Sequence, residues 1–218
     1  MKPLYHGTIY EFDSIDVTAG KGYKDFGKGF YATAVPSHAE RLAIRNKSIA
    51  EKRQSFLKNK KGIIIQPIKA YRYNLIFSED TTGLKVKMFE SADKEWLRFI
   101  LQNRKCDGCT HDYDIVIGYR ADDSYFRFPE AFVRSEITIE SLSTIYKLGD
   151  LGKQYVLISK KAFNLLKFVE YKEVTKESKE DYYKRKEKAD KAFTELLKKD
   201  RYSKELRLRD LVIKDDRL

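Results

Sequence analysis

Two short strings place side chains suited to binding chemistry close together in the chain. LYHGT at Leu4–Thr8 sets His6 beside Gly7 at the end of a predicted short strand. DFGKGFYAT at Asp25–Thr33 sets Tyr31 at the end of a glycine-rich loop that becomes a second strand. A histidine can hydrogen-bond a ligand hydroxyl. A glycine lets backbone approach a ligand where a side chain would block it, and a tyrosine face stacks on a flat, cationic ring. Plainer readings stand beside these: His6 as a structural histidine bonding nearby backbone, and Tyr31 as a core aromatic. A third string, CDGC at Cys106–Cys109, has the spacing of a metal or redox pair. A zinc site needs two further ligands, and His111 is the one neighbour of that type. A redox pair is expected at a helix start, whereas CDGC follows the predicted helix WLRFILQNR. CDGC therefore reads as a glycine-containing turn with reduced thiols.

Taken together, in this order and spacing and followed by a helix, the first two strings resemble the NAD-binding half of the ADP-ribosyltransferases, in the branch of the poly(ADP-ribose) polymerases. The resemblance extends over about residues 3–170. It is closer still to a bacterial group of uncharacterised transferase-like domains sharing DFGKGFY-T, WLxFIxxNR and YDIVIGxxADD. It implies that His6 bonds a ribose hydroxyl of NAD and that the backbone of Gly7, with Thr8 next to it, grips the nicotinamide carboxamide. It also implies that Tyr31 stacks on nicotinamide, with Lys28, Gly29 and Phe30 leading into the site and the polar loop containing Lys21 and Lys24 covering the dinucleotide. Arg41 and Arg45 on the following helix are placed to face a phosphate. The family's serine and second tyrosine on that helix correspond to Ala39 and Leu42, which makes the nicotinamide pocket simpler and more apolar.

The third catalytic element of the family is a glutamate that opens a late strand. Here KQYVLISKKAFNLLKFVEY resembles that block and carries Gln154 at the position. Gln154 can bond the ribose hydroxyl but supplies no negative charge and accepts no proton. Elongation of a poly-chain is not expected; mono-transfer is. Substitute carboxylates are Asp122, Asp123, Glu130 and Glu136, although Asp122–Asp123 also reads as a turn or cap. The expected activity is NAD-dependent mono-ADP-ribosyl transfer, with NAD as substrate and no metal. Alternatives are an NAD glycohydrolase and a degenerate module that binds NAD or a partner without turnover.

The elements that must position these residues read as α+β. The expectation is a split β-sheet core of the ADP-ribosyltransferase kind, with flanking helices and a charged C-terminal helical extension. Strands are predicted over Pro3–Thr8, Gly29–Thr33, Tyr113–Gly118, Tyr155–Ser159 and Lys167–Tyr171. A β-rich stretch over Gly62–Tyr73 contains Pro67, which marks it as an edge or a bulge. Helices are predicted from Pro36, with Ser37 and Glu40 at capping-box spacing, over Asp93–Arg104, over Ser135–Tyr146 and, as one turn, over Ala162–Leu166. Trp96, Asn103 and Arg104 read as core and helix end, with Arg104 also within reach of a ligand. His38 and His111 read as surface residues.

The bulk numbers bound the rest. The 218 residues suit one domain with an appendage, placed here at 1–169 and 170–218. The formal charge is +11, from 44 Lys and Arg against 33 Asp and Glu. Such a surface attracts polyanions, and Tyr119, Tyr125, Phe126 and Arg127 form an aromatic–cationic cluster of the sort that binds single strands. RNA or DNA is the favoured acceptor and a protein the alternative. No apolar run is long enough to span a bilayer, and the start lacks a secretory signal. A cytoplasmic protein without membrane contact is expected. By analogy with the family it is a bacterial toxin or anti-phage effector held in check by a neutralising antitoxin protein. From Glu170 onward the chain is charged throughout, with a sparse apolar stripe that predicts helix packed by one face.

Overall fold

The computed structural model of the chain describes residues 1–15, 22–61, 64, 66–108, 110–120, 131–132, 134–148, 152–175, 179–205, 207 and 209. It is an α+β structure built on one mixed seven-stranded sheet. The strands are β1 (Lys2–Thr8), β2 (Phe30–Thr33), β3 (Tyr71–Phe77), β4 (Val86–Met88), β5 (Ile115–Gly118), β6 (Gln154–Leu157) and β7 (Leu166–Glu173). Their order across the sheet is β4-β5-β6-β2-β1-β3-β7. Only β4 and β5 run parallel; the other neighbours are antiparallel.

Apolar residues alternate along the strands and feed two cores, one on each face of the sheet. One face gathers Leu4, Ala32, Tyr73, Leu75, Ile115, Ile117, Tyr155 and Leu157. The other gathers Val116 and Val156 with Phe26, Phe89, Trp96, Ile137 and Ile145. Helices α1 (Pro36–Lys61), α2 (Lys94–Asn103), α3 (Ile139–Leu148) and α5 (Lys179–Asp200) accompany the sheet, and α4 (Lys160–Phe163) is a single turn. Asp93 caps α2 by accepting from the Trp96 amide at 2.9 Å, and Ser159 caps α4. The first of these helices was placed to within a residue, whereas the one-turn helix expected over Ala162–Leu166 lies two to three residues earlier, because Leu166 already belongs to β7.

Several expectations are corrected. Strand β3 starts at Tyr71, after Pro67, and lies inside the sheet between β1 and β7. Proline interrupts the ladder before the strand begins, so it does not make β3 an edge. The short edge strand β4 was not foreseen; three residues give too little alternation to read. The capping box at Ser37 and Glu40 does not form. Pro36 takes the first helical position, which suits its fixed φ, and His38 N–H bonds the Val35 carbonyl at 3.1 Å. Glu40 points instead to Arg72 at 2.6 Å.

The charged C-terminal helix is present as α5, and it packs by one face. Ala189, Ala192 and Phe193 join the core that contains Trp96 and Phe26. Asp200, fully buried, ends α5 against the start of α3. Its carboxylate accepts from Thr138 N–H at 2.7 Å and Ser141 Oγ–H at 2.9 Å. Strand β7 runs through the boundary expected at residues 169 and 170. The transition from sheet to extension therefore lies after Glu173.

Candidate functional site

The strands that carry the sequence motifs are neighbours. β1 with His6, Gly7 and Thr8 lies beside β2 with Phe30 and Tyr31, and β2 lies beside β6 with Gln154. The pairing between β1 and β2 is minimal. β1 matches β3 along its whole length, from Lys2↔Phe77 to Thr8↔Tyr71. With β2 it shares the register pair Tyr5↔Thr33 alone. Beyond that pair the two strands part, within the one seven-stranded sheet to which both belong. His6 bridges the parting: its Nδ1 lies 2.7 Å from the Tyr31 carbonyl oxygen. A carbonyl only accepts, so Nδ1 carries the proton and Nε2 keeps its lone pair. The imidazole stacks on Phe30, with centroids 4.4 Å apart, and meets Phe12 edge-on. Burial among these rings lowers its pKa below the ordinary histidine value, more than the carbonyl bond raises it. His6 is neutral at physiological pH.

Tyr31 emerges on the opposite side of β2 from Phe30, as alternation requires. Phe30 packs with the Leu4–Tyr155 core and Tyr31 against the core of Val156 and Phe26. His6, Tyr31 and Gln154, all assigned to NAD by the resemblance, do not lie on one face. Tyr31 and Gln154 share one face, while the imidazole lies with Phe30 on the other. The reason is parity: Tyr31 pairs with Val156 and Thr33 with Gln154, whereas the His6 ring reaches Tyr31 only through its backbone.

The Tyr31 ring is held rigidly. Its hydroxyl donates to the Gly27 carbonyl at 2.6 Å and accepts from Phe26 N–H at 3.2 Å. Gly27 has φ +83°, a left-handed conformation that favours glycine. This turn is in turn tied to the segment after α2. Tyr23 N–H bonds the Cys106 carbonyl at 2.9 Å, and Lys28 N–H bonds the Gly108 carbonyl at 2.8 Å. Arg104 forms an ion pair with Asp25 at 2.6 Å, so it serves the loop rather than a ligand. His111 stacks on Phe99, and its Nε2 lies 3.2 Å from the Phe26 carbonyl. Burial lowers its pKa more than that bond raises it. His111 and His38 were read as surface residues. His111 is half-buried and His38 is 6 % exposed. This platform beneath Tyr31 is what the sequence analysis missed. Its signal was the string RKCDGCTHDYD, whose turn-forming residues supply backbone groups to the DFGKG loop. Cys109 lies outside the described residues.

Gly7 is required by packing. A Cβ there would lie 1.8 Å from the Ala39 carbonyl oxygen of α1, so the helix occupies the space a side chain would need. Thr8 is buried, whereas Lys28, Gly29 and Phe30 are partly buried. Leu42, one helical turn beyond Ala39, is 36 % exposed, and Arg45 is exposed. Arg41 is buried.

Gln154 is 6 % exposed, and its Nε2 has no hydrogen-bond partner among the described residues. Ser37, in the first turn of α1, is 4 % exposed with its Oγ likewise unmatched. A buried polar atom without a partner costs about 1–3 kcal/mol. The segment leading into β6 touches the start of α1: a Cβ on Gly152 would lie 2.6 Å from Val35 Cγ2. Glu136 is exposed. Asp122, Asp123 and Glu130 lie outside the described residues, as do Lys21, Tyr125, Phe126 and Arg127. Tyr119 of that aromatic cluster is 9 % exposed and takes the Trp96 Nε1–H on its carbonyl at 2.9 Å, so it is core. Among the described residues no group of three or more His, Cys, Asp and Glu side chains is placed to hold a metal ion, and no helix is long and apolar enough to cross a membrane.

The chain matches, over residues 2–168, a family described as a protein of unknown function (DUF3990), and it belongs to that family. No curated protein and no solved structure matches it.

Proposed function

We propose that this family member is an NAD-dependent mono-ADP-ribosyltransferase whose site is the parting between β1 and β2 and the adjoining end of β6. One observation supports this above the others. The three motif segments lie on adjacent central strands, and the sheet opens at His6 where the resemblance calls for a dinucleotide.

Under this proposal NAD is the substrate and the acceptor is a macromolecule. Tyr31, already fixed through its hydroxyl, offers its ring to the nicotinamide. His6, whose ring lies on the opposite face, serves the site through the Tyr31 carbonyl that its Nδ1–H holds. Gln154 supplies an amide for the ribose, and the unmatched Nε2 finds its acceptor there. The bond between C1′ and the nicotinamide nitrogen breaks, and nicotinamide leaves neutral with the electron pair. The acceptor nucleophile bonds C1′ and gives up its proton to solvent. Positioning and electrostatics carry such a step. Gln154 also favours a second reading: a module that binds NAD without turnover, because an amide stands where the resemblance calls for a carboxylate.

The deciding assay incubates the full chain with NAD and, separately, total RNA, DNA and protein. Nicotinamide release and ADP-ribose adducts are followed by mass spectrometry. Transfer to one acceptor class, lost in Tyr31→Ala and His6→Ala variants that remain folded, is the expected result. Release without any adduct identifies a glycohydrolase. Binding without release identifies the non-catalytic module, and neither binding nor release overturns the proposal.

A further inference from the structure

The 26-residue helix α1 consists of two parts with different surroundings. Its first turns are embedded: Ser37, His38, Ala39, Glu40, Arg41 and Ala43 are buried. From Arg45 to Lys60 no residue is buried. On this outer part Ile49 is 55 % and Phe56 57 % exposed, and Leu42, seven residues before Ile49, is 36 % exposed. Seven residues turn a helix by about 700°, so these three side chains drift only about 20° per step and form one stripe. The stripe runs for about 21 Å at 1.5 Å per residue. Half-buried Ala50, Gln54 and Leu57 lie on another side of the helix.

Charge is arranged around the stripe. At 100° per residue, Arg45 and Lys52 fall on one flank and Arg53 and Lys60 on the other. Lys60 reaches back over the Phe56 ring, 4.8 Å from its centroid. Glu51 is the one acid between Arg45 and Lys60; it lies on the far side and pairs with Lys47 at 3.8 Å. An apolar residue at every seventh position, bordered by cations on both sides, is a pattern that an amphipathic helix of opposite charge can match.

We infer that the outer part of α1 is a docking face for an acidic amphipathic helix of another protein. The apolar seam selects a helical partner with its own seven-residue apolar spacing. The cations on both flanks select Glu or Asp at the bordering positions. A second copy of this chain brings the same cations to the same borders and is repelled. Nucleic acid satisfies the cations but leaves Ile49 and Phe56 without a role. The inference concerns this helix alone and stands whether or not the β1–β2 parting turns over NAD.

The test uses the full chain and a labelled synthetic peptide of about three heptads, Leu at the seam positions and Glu at the borders. Controls are a shuffled peptide of identical composition and an oligouridylate of about 20 nucleotides. Binding is read by fluorescence anisotropy, with helicity of every variant checked by circular dichroism. The patterned peptide is expected to bind at least about tenfold tighter than the shuffled one. The pair Ile49→Gln/Phe56→Gln should remove that advantage. The set Arg45→Glu/Lys52→Glu/Arg53→Glu/Lys60→Glu should abolish binding. Equal binding of both peptides, or patterned binding indifferent to the Gln pair, overturns the inference. So does oligouridylate binding tighter than the peptide and unaffected by the Gln pair, which makes the arm a polyanion surface. Wild-type chain that sediments as a dimer, and a monomer with the Gln pair, replaces the acidic partner by a second copy.

Discussion

Strand β1 has two different sides. Toward β3 it is paired from Lys2 to Thr8 and continues into β7, with Glu40, Arg72 and Asn74 tying α1 to that half of the sheet. Toward β2 it is joined at Tyr5↔Thr33 and then parts, leaving a histidine where ladder bonds would be. The paired side closes its polar groups on one another. The parted side holds the sequence motifs, and the unmatched amide of Gln154 lies one strand further on. Under the proposed function a ligand's acceptor completes that amide. Comparing the two sides teaches where stability and binding are separable.

The largest expected effect is on the paired side. Arg72 and Glu40 form an ion pair with side chains 13 % and 9 % exposed, Lys172 being the next cation at 3.7 Å. Removing one member of a buried pair costs about 3–5 kcal/mol. Arg72→Met should lower urea-unfolding stability by about that amount, at the lower end because Lys172 remains. Arg104→Met removes a 39 % exposed cation from Asp25, itself 11 % exposed, beneath the Tyr31 loop and should cost less, about 1–2 kcal/mol. Equal losses would erase the contrast.

Gly7→Ala comes next. The added methyl meets the Ala39 carbonyl, a backbone atom that cannot rotate away. Overpacking costs about 1–3 kcal/mol, and this variant should reach the upper end in the same unfolding assay. An unchanged midpoint would show that α1 yields there and that the parting is wider than the contact implies.

Gln154→Leu should move stability and function in opposite directions. It replaces an unmatched buried amide with an apolar group of similar size. Stability should stay level or rise by about 1 kcal/mol, while nicotinamide release falls. Loss of both would mark Gln154 as a structural residue.

The smallest effect is in pH. His6 and His111 both have pKa values lowered by burial. The folded state then binds fewer protons than the unfolded one below pH 6.5. Stability is whole above that value and falls as pH drops below it, with a slope of up to one proton per histidine. His6→Asn should flatten this slope between pH 6.5 and 5. The lowered carboxylate of Glu11 acts only further down, below its ordinary range. An identical slope in wild type and variant would place the His6 ring in water.

Much of the fold was legible. The IVIG of YDIVIG is a continuous apolar run, and it forms β5, buried at every position. Asp93 stood three residues before Trp96, and it caps α2. What the reading missed concerned partners distant in sequence. Ser37 and Glu40 have capping-box spacing, but Glu40 is drawn to Arg72, 32 residues away. His111 looked like a surface histidine until the Phe26 carbonyl was brought to it. Gly7 read as a glycine for a ligand, and α1 already occupies its empty side.

By itself the sequence determined the types and the order of the elements other than β4, because alternation, caps and turn residues act within a few positions of one another. It also placed His6, Tyr31 and Gln154 on strands of one sheet. Tertiary structure alone decided that those strands are adjacent, that β1 and β2 part after Tyr5, and that the His6 ring lies on the face opposite Tyr31 and Gln154. These follow from register and strand parity, where one residue of shift turns every side chain to the other face. The exposure of the outer part of α1 was settled in the same way. Its seven-residue stripe was written in the chain, but a stripe is core or surface according to what packs against it.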